Sequence, residues 1–505
     1  MSHLTRRHFL VATSAAAGMM APPFSQASAA APFTDINVIR RMIEVNGKPA
    51  DVLGLMQPDG THGLASQAGR RFRVRLTNEL TEETLVHWHG LTPPTGQDGV
   101  PELSQPALRP GASYDYDFLL TRPGTHWMHS HVGLQEQQLL AAPLIIHDSA
   151  ESRLDEQEVV VMLHDFTFRD PMEIFARLTA GMGQSMSGTT EDALGAMAGM
   201  DHSAMGHGAD APASQPEPLA MDPMAMDQAA SSSGLQMDLN DVAFDAYLAN
   251  DRTLTDPDIV RVESGGGVRL RIINGAAATN FMLDLGTIEG DLVAVDGHPI
   301  EPMTGGRFEL AIAQRLDIRL RLPNGQGSYP VLAIREGDTS QAGVILATKN
   351  ASIARVPSRA ASAAGIVGLD LERRLRAAAP LPSRPADRTH VLDLTGSMTT
   401  YRWTLNGAAF GAHSPLAIRQ GDRVEITMRN KTNMSHPMHL HGHPFQVVAI
   451  DAKPIVGAMR DTVLVPIGGS VTIGFDADNP GHWALHCHNL YHMMAGMMTS
   501  VKYES

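Results

Sequence analysis

Read for the alternation of apolar and polar positions, the chain repeats one strand three times. The copies are Gly69-Arg70-Arg71-Phe72-Arg73-Val74-Arg75-Leu76-Thr77-Asn78, Gly265-Gly266-Gly267-Val268-Arg269-Leu270-Arg271-Ile272-Ile273-Asn274 and Gly421-Asp422-Arg423-Val424-Glu425-Ile426-Thr427-Met428-Arg429-Asn430. Each has a glycine before it, apolar residues at alternate positions and an asparagine at its end, the pattern of a strand with one buried face. Three copies with equal offsets predict three related β domains. Many short alternating strands, 46 glycines, 32 prolines and few helical stretches predict Greek-key β-sandwiches, an all-β chain. A length of 505 residues agrees, since a domain holds roughly 100–200 residues. The domains are expected at 30–150, 151–351 and 389–505, with a linker at 352–388.

Ahead of the first domain, Thr5-Arg6-Arg7-His8-Phe9-Leu10 is a twin-arginine motif, followed by an apolar run to Met20 and an Ala27-Ser28-Ala29 cleavage site. Residues 1–29 therefore read as an export signal, which predicts the twin-arginine machinery as a partner and a periplasmic, monomeric protein. No later stretch reaches the roughly 18 apolar residues of a membrane span. The net charge of −15, with no basic run beyond short pairs, argues against nucleic acid or anionic membrane as partner.

The offsets become informative downstream. Nine residues past the closing asparagine, the first copy has His87-Trp88-His89-Gly90 and the third His439-Leu440-His441-Gly442, where the middle copy has Leu283-Asp284-Leu285-Gly286. Later, Pro123-Gly124 leads to His129-Ser130-His131 and Pro480-Gly481 to His486-Cys487-His488; counted from Gly327, the middle equivalents are Leu332, Ala333 and Ile334. Residues i and i+2 of a strand share a face, so each pair can aim two imidazoles at one site. Eight histidines from two domains meeting face to face suffice for three copper ions. Cys487, the chain's one cysteine, should point the other way. With His492 and Met497 it supplies three of the four donors of a blue copper site, and His436, replaced by Thr84 and Asn280 in the other copies, is the natural fourth.

Together these motifs resemble the four copper signatures of the multicopper oxidases, over essentially the whole chain after the export signal apart from an insertion at 172–237 and the linker. The resemblance implies cupredoxin-like sandwiches and four copper ions. Type 1 copper would be held by His436, Cys487, His492 and axial Met497, and type 2 by His87 and His439. One type 3 ion would take His89, His129 and His488, the other His131, His441 and His486. Single electrons would pass through Cys487 to a cluster that reduces O2 to water. Asp98 matches the acidic residue that family members place beside the cluster and would donate or relay protons; from spacing alone it could equally be a turn-forming Asp-Gly. Met493 stands where some relatives carry a second acidic relay. His126, His443 and His482, and Trp88, Trp127 and Trp483, are expected to pack around the sites.

The insertion bears on the substrate. It holds ten of the chain's 28 methionines among Gly, Ala, Ser, Pro and Asp, a composition too polar and flexible for a core element. Thioethers select Cu(I). The segment resembles the methionine-rich segment of bacterial cuprous oxidases, which implies Cu(I) as substrate, with Met434, Met197, Met200, Met205, Met221, Met224 and Met226 as candidate contacts. Two departures are that it falls in the middle domain and that Thr432 replaces an acidic partner found in some relatives. A laccase-like oxidase of phenols or other small organic donors, and a non-catalytic copper-binding resistance protein, are the alternatives.

Overall fold

The structure, a computed structural model, describes residues 32–180 and 239–504. Residues 1–29, expected to be an export signal, and Met197, Met200, Met205, Met221, Met224 and Met226 lie outside the described residues. Among the described residues six sheets form, and they pack in pairs as three cupredoxin-like sandwiches. The first sandwich joins the sheet containing Thr34–Val45 and Arg71–Asn78 to the sheet containing Val86–His89 and Gly124–Ser130. The second is built around Gly267–Asn274 and Phe281–Asp284, and the third around Arg423–Asn430 and His436–Leu440. Among the described residues no helix is long and apolar enough to cross a membrane.

The recurring strand takes the same place each time. Arg71–Asn78, Gly267–Asn274 and Arg423–Asn430 each have a parallel neighbour on one side and an antiparallel neighbour on the other. Their apolar positions fill the sandwich interior; Phe72, Val74 and Leu76 do so in the first copy.

The closing asparagine is buried in every copy and carries out one local task. Asn78 Nδ2 donates to the carbonyls of Glu82 and Leu108, Asn274 Nδ2 to those of Thr279 and Leu310, and Asn430 Nδ2 to those of Met434 and Val465. Its Oδ1 accepts the amide two residues on, at Leu80, Ala276 or Thr432. A buried carbonyl without a donor costs about 1–3 kcal/mol. The asparagine thus fixes the turn leading into the strand that, in the first and third copies, bears the first histidine pair.

Strand register corrects one expectation. His87 pairs with His129 and His439 with His486, but Leu283, at the same offset from its asparagine, pairs with Ala333. The middle equivalents of His129, Ser130 and His131 are therefore Ala333, Ile334 and Arg335, one residue later than a count from Gly327 gives. The approach to Ser328–Arg335 holds one more residue than its counterparts, so counting from the glycine slips by one.

A second correction concerns the insertion. Its first residues form the helix Pro171–Thr179: Asp170 caps it by accepting the Met172 amide, Pro171 occupies the first turn, and Ile174 and Leu178, four apart, bury one face. Both join the third sandwich's apolar core. This part of the insertion is a core element after all. The linker also packs, burying Val367, Leu369, Leu371 and Leu375.

Candidate metal centre

Within the third sandwich, His436, Cys487 and His492 bring three donor atoms together. His436 Nδ1 lies 3.1 Å from His492 Nδ1, and Cys487 Sγ lies 3.6 and 3.7 Å from the two nitrogens. Cys487 points into the sandwich core, as the i+1 position requires. The loop that returns His492 closes twice on itself, Cys487 N donating to Met497 O and Met497 N to His492 O, both at 3.0 Å. A one-turn helix, Leu490–Met494, lies inside it, capped by Asn489 Oδ1. Met497 and Met434 are buried in the same core. Thr432 Oγ1 contacts His436 Nε2 at 2.7 Å, and Trp403 lies against His492 with ring centroids 4.2 Å apart.

The other eight histidines meet where the first and third sandwiches face each other, and all are buried. Their donor atoms cluster as His89, His129 and His488, as His131, His441 and His486, and as His87 and His439 beside His89. His441 Nε2 is 3.0 Å from His486 Nε2, His129 Nε2 is 3.4 Å from His488 Nε2, and His87 Nε2 is 3.5 Å from His439 Nε2. The glycine after each first pair is dictated by crowding. Gly90, at φ +89°, would place a Cβ 2.5 Å from His126 Nδ1, and a Cβ at Gly442 would overlap the Trp483 ring.

Three buried carboxylates lie against this cluster, and two of them, Asp98 and Asp461, bond to it across the seam between the sandwiches. Asp98 takes His87 Nδ1–H on its main-chain oxygen and His441 Nδ1–H on Oδ2, both at 2.8 Å. Asp461 takes His439 Nδ1–H on its main-chain oxygen at 2.7 Å and His89 Nε2–H on Oδ1 at 3.1 Å. Glu136 Oε2 is 2.8 Å from His129 Nδ1, and its Oε1 is 3.8 Å from His488 Nδ1. A proton held on one ring nitrogen leaves the lone pair of the other for a metal. His89 is turned the opposite way from its neighbours, with Nδ1 toward the cluster, 3.5 Å from His129 Nε2.

Burial keeps most of these imidazole donors free of protons. Burial pushes His89, His129, His131, His436, His439, His441 and His488 well below the ordinary imidazole range, and His486 to about 4, so all are neutral donors near neutral pH. Burial also holds the Cys487 thiol well above its ordinary value, so only a bound metal would take its proton. His131 Nε2 is buried with no hydrogen-bond partner, an orphan that a metal bond would satisfy.

Sequence reasoning missed Asp461, Glu136 and Arg315, whose guanidinium grips Asp461 at 2.7 and 2.5 Å, and also Asp241, whose Oδ2 lies 2.9 Å from His492 Nε2 and accepts the Tyr401 hydroxyl. No local pattern marked them: Glu136, for one, stands in the polar run Leu134-Gln135-Glu136-Gln137-Gln138-Leu139. His443 and His482 do pack, bonded to Tyr503 and Ser500, while His126 is buried with neither nitrogen partnered.

Known proteins give the same picture. Residues 60–151, 219–353 and 383–505 match three sequence families, each described as multicopper oxidase. The chain is 32% identical to the multicopper oxidase MmcO of Mycobacterium tuberculosis over 445 residues, 87% of this chain and 81% of that protein. It is 27% identical to copper resistance protein A of Escherichia coli, over 86% of each. Among solved structures, Fet3p, a multicopper oxidase that functions in iron import, superposes with a TM-score of 0.73 at 18% identity, over 93% of this chain and 90% of that one. The multicopper oxidase of Pseudomonas thermotolerans gives 0.64 at 22%, over 94% and 100%. The chain belongs to the multicopper oxidase family: it is an oxidoreductase that uses copper, with oxygen as acceptor. Its thiolate, thioether and imidazole donor sets fit that metal.

Proposed function

We propose that this protein oxidises Cu(I) to Cu(II) in copper tolerance, passing four electrons to O2. The observation that carries the reading is where the methionine-rich segment is tethered. Its two described ends, the helix Pro171–Thr179 and the stretch from Leu239, both lean on the third sandwich, where Ile174, Leu178 and Val242 share the apolar core of Cys487 and Met497. In sequence the segment belongs to the middle domain; its ends nonetheless sit beside the candidate electron-accepting trio. Asp241 adds a buried carboxylate over His492, and its Oδ1 has no hydrogen-bond partner, an acceptor suited to an arriving cation. The relation to copper resistance protein A points the same way.

In this reading four copper ions are held in the sets described above. Type 1 takes His436, Cys487, His492 and Met497, type 2 takes His87 and His439, and the type 3 pair takes the two histidine trios. When bound, copper supplies one-electron transfer at the trio and multi-electron reduction of O2 at the cluster. The chain contributes geometry: Cys487 is covalently continuous with His486 and His488, giving a short through-bond path. The carboxylates of Asp98, Asp461 and Glu136 hold the imidazoles, and Asp98, bonded to His87 and His441, would deliver protons. The twin-arginine signal would put this chemistry in the periplasm, in a monomer.

Phenol oxidation is the competing use of the same copper set. Here His492 is buried, with Asp241 over Nε2, and offers a planar donor no exposed edge. Steady-state O2 consumption by copper-loaded protein, with Cu(I) and with a phenol, compares the two. Deleting residues 181–238 should cut the Cu(I) rate tenfold or more and leave the phenol rate equal or higher; equal loss of both would refute a Cu(I)-specific segment.

A further inference from the structure

A cavity of about 320 Å³ lies between the first and second sandwiches, far in sequence from the copper signatures. Its wall includes His62, Met162, His164 and Asp251. Met162 and His164 are i and i+2 on the strand Glu156–Phe166, so one face of that strand presents a thioether and an imidazole together. His62 comes from the first sandwich and is half-buried, which opens the cavity to solvent, whereas Met162 and His164 are each 2% exposed.

Hydrogen bonding decides what the cavity can hold. His164 Nδ1–H donates to Gly275 O at 2.9 Å and His62 Nε2–H to Ala141 O at 3.0 Å. Each ring has spent its one N–H on a main-chain carbonyl, and the nitrogen left over, His164 Nε2 or His62 Nδ1, has no hydrogen-bond partner among the described residues. The other polar groups are also committed. Asn250 Nδ2 donates to Val160 O and Asp258, and Asp251 is neutralised by Arg41 through two bonds of 2.5 and 3.0 Å. What faces the cavity is a set of electron pairs, two imidazole and one thioether, without a free proton donor or net charge. Pinning one ring nitrogen on a carbonyl is how metal-binding histidines are held. Burial keeps His164 neutral, its value pushed down to about 4.

We propose that this cavity is a binding site for one soft monovalent cation, Cu(I) in the cell, taken by His62 Nδ1, His164 Nε2 and Met162 Sδ. Neutral nitrogen and sulfur donors select a soft monovalent ion over a hard divalent one. The site is separate from the trio and the histidine cluster and does not depend on Cu(I) being the substrate.

Ag(I), a redox-inert probe, tests it on the copper-loaded full chain. Crystals soaked in Ag(I) should show one anomalous peak in the cavity, within bonding distance of Met162 Sδ and His164 Nε2. In solution, Met162→Leu, which keeps the side-chain volume, and His62→Gln, at the half-buried position, should each weaken one Ag(I) equivalent at least tenfold without changing the absorbance of the bound copper. A cavity holding only water after the soak, or Ag(I) titrations of both variants that superpose on the parent, would overturn the assignment.

Discussion

Glu136 shows how much at a single residue depends on context. It follows His131 by five positions, and neither its type nor its spacing marks it, yet it is buried at 3% exposure against His129 and His488. Burial pushes its carboxyl well above the ordinary range, so the fold accepts a costly group to hold the His129 imidazole. Glu136→Ala should lower copper affinity at His89, His129 and His488 by about 10–100-fold, the usual effect of removing a ligand's outer partner. Metal analysis after dialysis should show the deficit, with the absorbance of the trio retained; full copper content would reduce Glu136 to a packing residue. The histidines, Cys487 and Met497 were legible because strand alternation and the short loop after Cys487 are local rules. Glu136, Asp461 and Asp241 were not, because each acquires its meaning from partners up to 372 positions away, such as His89 for Asp461.

Between elements, the closing asparagine separates structure from function. Asn274 and Asn430 make the same three contacts, but only Asn430, through Met434 O, steadies the turn that carries His436. Replacing either with Ala should cost about 2–3 kcal/mol in denaturant unfolding, since carbonyls are left buried without donors. Asn430→Ala alone should shift the trio's absorption band. An equal spectral change in Asn274→Ala would mean that the band reports global loosening. The second sandwich fills the place of His436 with Asn280, which donates to Glu336 at 2.8 Å. Burial pushes the Glu336 carboxyl up to about 7, from an ordinary value near 4.5. The folded state therefore binds this proton more tightly than the unfolded chain, and the stability it confers, present in full below about pH 4.5, is lost as pH rises to 7. The amount is on the order of 3 kcal/mol. Glu336→Gln should flatten unfolding free energy over that window and be the more stable protein at pH 8; an unchanged pH slope would show that other groups set it. The recurring strands were readable because three copies shared offsets. The one-residue slip after Gly327 was not, since an added residue in a turn leaves no period to break. The helix Pro171–Thr179 carried its own signals, an Asp-Pro start and apolar residues four apart, but the segment's overall polarity outweighed nine residues of local pattern.

Across the whole molecule, the sandwich without a histidine cluster is what aligns the two that form it. Arg315, fully buried on its strand Arg315–Arg321, donates through Nε to Thr125 O of the first sandwich and through both terminal nitrogens to Asp461 of the third. Asp461 in turn holds His89 from the first sandwich and His439 from the third. One guanidinium thus reaches all three sandwiches and ends, through a single carboxylate, on two imidazoles of the histidine cluster. Removing it should affect that site more than the trio, which lies within the third sandwich. Arg315→Leu would leave Asp461 buried without its counter-charge, at a cost of about 3–5 kcal/mol, and can fail simply by unfolding. Arg315→Lys is the sharper variant: it keeps the charge but loses the planar fork that grips both oxygens. We expect the Lys variant to fold, to retain the trio's blue absorbance and to bind less copper at His87 and His439, read as a weakened paramagnetic signal of the isolated ion. If it lost the trio's colour in proportion to that signal, Arg315 would be a general stabiliser; if it lost neither, Asp461 would hold its two histidines without help from the second sandwich.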